Sequence, residues 1–211
     1  MAFPRRTHTS TLLTGAPSFT QHDNMPEQTP DPTAPRGRVL LVPGIGDSGA
    51  EHWQSRWEAQ NESCVRVRQR DWDNPVCADW QQALELAACD AAPDTLIAAH
   101  SLGCLLVAHW LARTSVRIAG ALLVAIPDPE GASFPPQAVG FSPLPPKSLP
   151  CASIVVASID DPYGSLDFAR QCAAAWGSRL VSIGRAGHIN AASGLGDWSE
   201  GQRLLRSLQT H

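Results

Sequence analysis

Three residue types that together turn a hydroxyl into a nucleophile occur in one order along this chain: Ser101, an aspartate at 160 or 161, and His188. A serine hydroxyl attacks poorly until a base removes its proton. A histidine can take that proton near neutral pH and later give it to a leaving group. A carboxylate behind the histidine fixes its tautomer and stabilises the imidazolium. Ser101 also lies in the right kind of local sequence. An apolar run from Thr95 ends at the turn Ala99-His100-Ser101-Leu102-Gly103, and an apolar stretch of helical character follows at once. Small residues two before and two after a serine on a strand-to-helix turn lift its hydroxyl above the end of a sheet, the geometry of a nucleophile elbow. The elbow pattern is G-x-S-x-G, and Ala99 stands where its first glycine would be. The oxyanion formed on attack needs two donors already in place. The Leu102 amide, at the start of the following helix, is one candidate. The Ile45 amide, within Pro43-Gly44-Ile45-Gly46-Asp47-Ser48-Gly49, is the other.

The residues leave the acid open. Asp160 and Asp161 are adjacent, so only one can face His188; Asp161 precedes Pro162, which holds its backbone extended. Asp128, after an earlier strand, ranks third. His100 is expected to pack beneath the turn, and His109 and Trp110 to pack on the following helix. Glu51-His52-Trp53 has two readings. Trp53 and Trp57 stand four apart and share a helix face, which suits core packing, whereas His52 or Trp53 could line a pocket mouth. Tyr163, the single tyrosine, and Trp72 and Trp198 could also wall an apolar acyl site.

These groups need a scaffold that brings distant loops together. Strands are predicted at Arg38–Val42, Cys64–Arg68, Thr95–Ala99, Ile118–Ala125, Ser153–Ala157 and Arg179–Ile183. Helices are predicted at Trp53–Asn61, from Pro75 to about Ala91 with Asp73 or Asn74 as cap, and at Leu102–Arg113, Leu166–Trp176 and Trp198–Gln209. Such alternation implies an α/β fold, a parallel sheet covered by helices on both faces. Ligands then bind beyond the carboxyl ends of the strands, where the loops carrying Ile45, Ser101, Asp160-Asp161 and His188 all open. The proline-rich stretch 127–150 reads as an irregular loop able to form one pocket wall.

Composition bounds the rest. The chain has 211 residues, a net charge of -4 and 43% hydrophobic residues, which suits one soluble domain at 37–211 and gives no basic face for nucleic acid. Residues 1–36, rich in Thr, Ser, Pro and Gln, read as a flexible tail; a transit segment and a start at Met25 are the alternatives. No apolar run reaches a membrane-spanning length. The six cysteines form no C-x-x-C pair; without a secretory signal they read as free thiols in a reducing compartment, and the cytoplasm is expected. Gly44 and Gly46 lack the following Lys-Ser/Thr of a phosphate loop, and no His/Cys/Asp spacing suits a metal. Neither cofactor nor metal is expected.

The stretches Val42-Pro43-Gly44-Ile45-Gly46, Glu51-His52-Trp53 with Trp57, Ala99-His100-Ser101-Leu102-Gly103, Asp160-Asp161-Pro162-Tyr163 and Gly187-His188-Ile189-Asn190 with Ser193-Gly194 follow one another in an order that resembles the small α/β-hydrolases of the retinoblastoma-binding-protein-9 and YdeN type. The resemblance covers roughly Arg38 to the C-terminus. It implies an α/β-hydrolase fold of about six mostly parallel strands with a minimal lid or none. By matching motifs it implies Ser101 as nucleophile, Asp161 as acid and His188 as base. The function implied is hydrolysis of a small carboxylic ester, or a related thioester or amide, through an acyl-serine. The alternative is a non-enzymatic interaction module that keeps the hydrolase fold.

Overall fold

Strands buried on both faces must be apolar at successive positions, as in a helix-covered parallel sheet. The computed structural model, which describes residues 37–209, has that arrangement; the readings made for residues 1–36 lie outside the described residues. The strands are β1 (Val39–Val42), β2 (Cys64–Arg66), β3 (Leu96–His100), β4 (Gly120–Val124), β5 (Ala152–Ala157) and β6 (Arg179–Ser182). Every residue of β1, β3 and β4 is buried. All neighbouring pairs are parallel, in the order β2-β1-β3-β4-β5-β6.

Side chains alternate across the sheet and build two cores. Leu40, Val42, Ile97, Ala99, Ala121 and Leu123 face helices α2 (Cys77–Ala88), α3 (Leu102–Leu111) and α4 (Leu166–Trp176). Val39, Leu41, Leu96, Ala98, Leu122 and Val124 face α1 (Trp53–Gln60) and α5 (Ser199–Arg206), where Trp53, Trp57, Trp198 and Leu205 pack. Helices thus cover both faces, and the fold is the α/β-hydrolase arrangement. The stretch 127–150 is irregular, apart from a lone bridge between Val139 and Val76.

The chain order reverses between β1 and β3. That is the switch point at which a crevice opens beyond the strand ends. Val42 is level with Ala99 and His100 with Val124, so the loop after β1 leaves the sheet beside the elbow after β3.

Most boundaries shift by one to three residues from the sequence reading, and two of the shifts are informative. Helix α2 starts at Cys77 after an extended Val76, not at Pro75, and neither Asp73 nor Asn74 caps it. Asp71 instead accepts the amides of Asp73 and Asn74 in a separate turn, while Val139 holds Val76's neighbours through Pro75 O and the Cys77 amide. The strand bearing the elbow runs one residue further than predicted, to His100, so the turn begins at Ser101 itself.

Candidate active site

The elbow is held by backbone geometry. Ser101 has φ 54° and ψ −127°, a conformation L-residues avoid, and helix α3 begins directly after it. Residues kept in such regions cost roughly 1–3 kcal/mol and persist only where surrounding structure fixes them. Here the Ser101 amide donates to Val124 O on β4, and Ser101 O accepts from the Cys104 amide. Gly103 lets α3 close onto β1: a Cβ there would lie 2.3 Å from Val42 O. Ala99 sits within β3 and is absent from the positive-φ positions. A small side chain therefore serves there as well as glycine.

His188 stands on the loop after β6. Its Nε2 lies 2.8 Å from Ser101 Oγ, and its Nδ1 lies 2.9 Å from each carboxylate oxygen of Asp161. A carboxylate can only accept, so the proton belongs on Nδ1 and the Nε2 lone pair faces the serine O–H. The Asp161 carboxylate is nearly buried, 2% exposed, and also accepts the Tyr163 amide. Asp160 faces elsewhere. Its Oδ1 accepts from Ser158 Oγ at 2.7 Å and from the Gly187 amide at 3.0 Å. The Ser158 bond first, and the Gly187 bond next, hold its carboxyl below the usual range. Asp128 accepts the Glu130 amide within its own turn.

The loop carrying His188 is clamped at two successive carbonyls. His100 Nε2–H donates to His188 O at 2.9 Å, and Trp53 Nε1–H donates to Ile189 O at 3.0 Å. Ile189, fully buried, has φ 48°. Asn190 caps the following turn through the Ala192 amide, and Ser193 Oγ donates to Ala186 O. Burial pushes the His100 ring well below its ordinary pKa, with His52 and His188 acting in the same direction. It therefore stays neutral, with its one proton on the nitrogen that faces His188 O.

Below the loop after β1 lies a polar network the sequence did not reveal. Gln54, fully buried, donates to Ala98 O on β3 and accepts from Ser48 Oγ. Arg66, buried on β2, pairs with Asp47 and Glu58 and donates to Ser48 O. Together they fix the course of residues 44–48. The Ile45 and Leu102 residues both border the cavity, and neither amide donates a hydrogen bond among the described residues. Gly44 comes so close to the serine that a Cβ would lie 3.2 Å from Ser101 Oγ.

The cavity at Ser101 measures about 320 Å³ and is bordered by His52, His100, Tyr163, His188, Asn190 and, from the proline-rich loop, Pro127, Pro135 and Gln137. Tyr163 lies over His188, with ring centroids 4.5 Å apart. Trp53 is absent from the wall: it is buried among Trp57, Trp198 and His52. Trp198 likewise belongs to the core, and Trp72 packs on Trp80. His109 holds Phe141 O and Trp110 binds Glu85, both away from the serine. Among the described residues no His, Cys, Asp and Glu side chains gather as a metal ligand set.

Residues 39–207 match the protein-family profile described as serine hydrolase. The chain belongs to the serine hydrolase family. It is a hydrolase enzyme. The hydrolase resembles a YdeN-like hydrolase of Pectobacterium atrosepticum at 33% identity, with a TM-score of 0.73 over 82% of this chain and 91% of that one. The ydeN gene product of B. subtilis shares the fold at 19% identity, with a TM-score of 0.65 over 83% and 100% of the two chains. A thermophilic esterase of Thermogutta terrifontis shares it at 17% identity, with a TM-score of 0.59 over 84% and 92%. No curated protein matches the chain.

Proposed function

We propose that the hydrolase cleaves a small carboxylic ester, or a related thioester or amide, through a Ser101–His188–Asp161 triad. The observation that carries the reading is the unbroken chain of hydrogen bonds, 2.9 Å from Asp161 to His188 Nδ1 and 2.8 Å from His188 Nε2 to Ser101 Oγ. Ser101 Oγ attacks the scissile carbonyl as His188 Nε2 takes its proton. Asp161 holds Nδ1–H and offsets the charge on the imidazolium. The Ile45 and Leu102 amides receive the oxyanion. His188 then protonates the departing alcohol, and the acyl group remains on Ser101. Water, deprotonated by the same nitrogen, attacks the acyl-serine and releases the acid. His52 and Tyr163 would touch the substrate from the cavity wall; Trp53 acts from behind by holding Ile189 O.

The same proposal places the enzyme in the cytoplasm, supported by six free cysteines. No helix among the described residues is long and apolar enough to cross a membrane.

Labelling with a fluorophosphonate probe tests the reading. Wild type is expected to label at Ser101, and Ser101→Ala to lose the label. His188→Ala should lower kcat on a p-nitrophenyl ester by about 10⁴-fold or more. No labelling of the wild type, or equal labelling of Ser101→Ala, would leave the non-enzymatic interaction module as the better reading.

A further inference from the structure

The Ile45 amide stands in a tight turn. The turn is closed by the Asp47 amide, which donates to Gly44 O at 3.3 Å. Ile45 and Gly46 are its two central residues, and Gly46 has φ 76°. Positive φ at the third position of such a turn calls for glycine. Asp47 comes next and is also left-handed, at φ 63°. Glycine adopts that conformation freely. An aspartate there costs free energy and stays only where its surroundings hold it. The direction of the Ile45 N–H therefore depends on what holds Asp47.

The hold comes from β2. Arg66 Nη1 donates to Asp47 Oδ1 and, at 3.0 Å, to Ser48 O. Its Nη2 donates to Ser55 Oγ at 2.7 Å, and Ser55 Oγ donates in turn to Ser48 O. Its Nε donates to Glu58 at 2.8 Å. Every nitrogen of the guanidinium is engaged, and the side chain is 4% exposed. Asp47 Oδ1 also accepts the Ser48 amide, and the Gly46 amide donates to Trp72 O. The amides of residues 46, 47 and 48 are thus all spent, and the Ile45 amide between them and the serine is not.

A buried ion pair adds little net stability over apolar packing of the same volume, because both charges must leave water. What a guanidinium adds is direction, since its donors form a rigid planar fork. Fixed direction matters where an N–H must already point at the place where charge develops. The Leu102 amide needs no such support, because it opens helix α3.

We propose that Arg66 is a positioning residue for the oxyanion donor. Through Asp47 and Ser48 it holds the turn so that the Ile45 N–H faces the carbonyl bound at Ser101. This rests on the hydrolase reading above. Arg66 does not border the cavity, so its effect reaches the reaction through the backbone of residues 45–48.

The test compares p-nitrophenyl butyrate with its thiono analogue, in which sulfur replaces the carbonyl oxygen. Both esters need the same nucleophile and base. Sulfur is larger and accepts hydrogen bonds weakly, so a well-placed pair of donors favours the oxygen ester. The ratio of the two kcat/KM values does not depend on how much of a preparation is folded. In Arg66→Met the ratio is expected to fall about tenfold, less than the roughly hundredfold or more that follows outright loss of a donor. Turnover of the oxygen ester should fall by a similar factor in kcat, with KM changed less than about twofold. Asp47→Gly keeps the left-handed conformation but leaves Arg66 no carboxylate at the turn. It should lower the ratio in the same direction, and it stands in if Arg66→Met loses its circular dichroism spectrum. Ratios within about twofold of wild type in both variants, in a wild type that hydrolyses the oxygen ester, overturn the inference alone. Hydrolysis of neither ester by wild type overturns it together with the hydrolase reading.

Discussion

The serine and the histidine of this site are positioned in opposite ways. The elbow is built locally: β3, one residue in an avoided backbone conformation, and α3 follow one another without a gap, and Gly103 packs against the end of β1. The histidine loop has no regular element of its own until the short turn at Ala191–Ser193. It is held by donors from far along the chain, Trp53 and His100, and by Ser158 and Asp160, which bind the Ala186 and Gly187 amides. The difference separates two kinds of rigidity. One is intrinsic to a short segment and resists through sterics. The other is assembled from about 1 kcal/mol hydrogen bonds and depends on the whole domain being folded.

The sharpest break of this contrast compares the two adjacent acids. Asp161→Asn is expected to lower kcat by about 10⁴-fold, because an amide stabilises neither the tautomer nor the imidazolium. Asp160→Asn keeps an acceptor for the Gly187 amide and should cost less than about tenfold; ester hydrolysis by both variants measures the gap. Gly103→Ala strikes the elbow. Its Cβ would meet the Val42 and Pro43 carbonyl oxygens at 2.3 and 2.6 Å, so denaturant unfolding should show a loss of about 3 kcal/mol, at the upper end for overpacking. Trp53→Phe strikes the histidine loop most gently. The ring volume largely remains while the donor to Ile189 O goes, so stability should fall by about 1 kcal/mol. In the proposed mechanism Trp53 acts through His188 and not on substrate, so kcat should drop several-fold with KM little changed. An equal rise in KM would mean that the loop is fixed without it.

The sequence made the local half of this comparison legible. Strand, turn and helix around Ser101 could be read from residues 95–113, and Leu166–Trp176 has the bounds expected of it. The departures that bear on the site involve partners distant in the chain. The start of α2 moved because Val139 pairs with Val76 and its carbonyl takes the Cys77 amide, which a cap at 74 would serve. Trp53 and Trp57, four apart, signalled a buried helix face. Nothing in that spacing says that one indole reaches a carbonyl 136 residues away. Gln54 and Arg66 carried no signal, since a polar residue inside a predicted helix or strand reads as solvent-facing until its buried acceptors are known. The choice between Asp160 and Asp161 was open on residue type, because both lie on one loop and only three-dimensional direction separates them.

Gly44 gives the serine something no side chain supplies, which is vacant space. A methyl group at that position would sit 2.8 Å from Ser101 Cβ and 3.2 Å from Oγ. The hydrolase therefore carries, outside the proposed triad, a position where a single added carbon would crowd Ser101 while leaving Ser101, His188 and Asp161 in the chain. Such a crowded form would retain the surface of the enzyme without its turnover, and so would separate whatever the protein does by chemistry from whatever it does by contact.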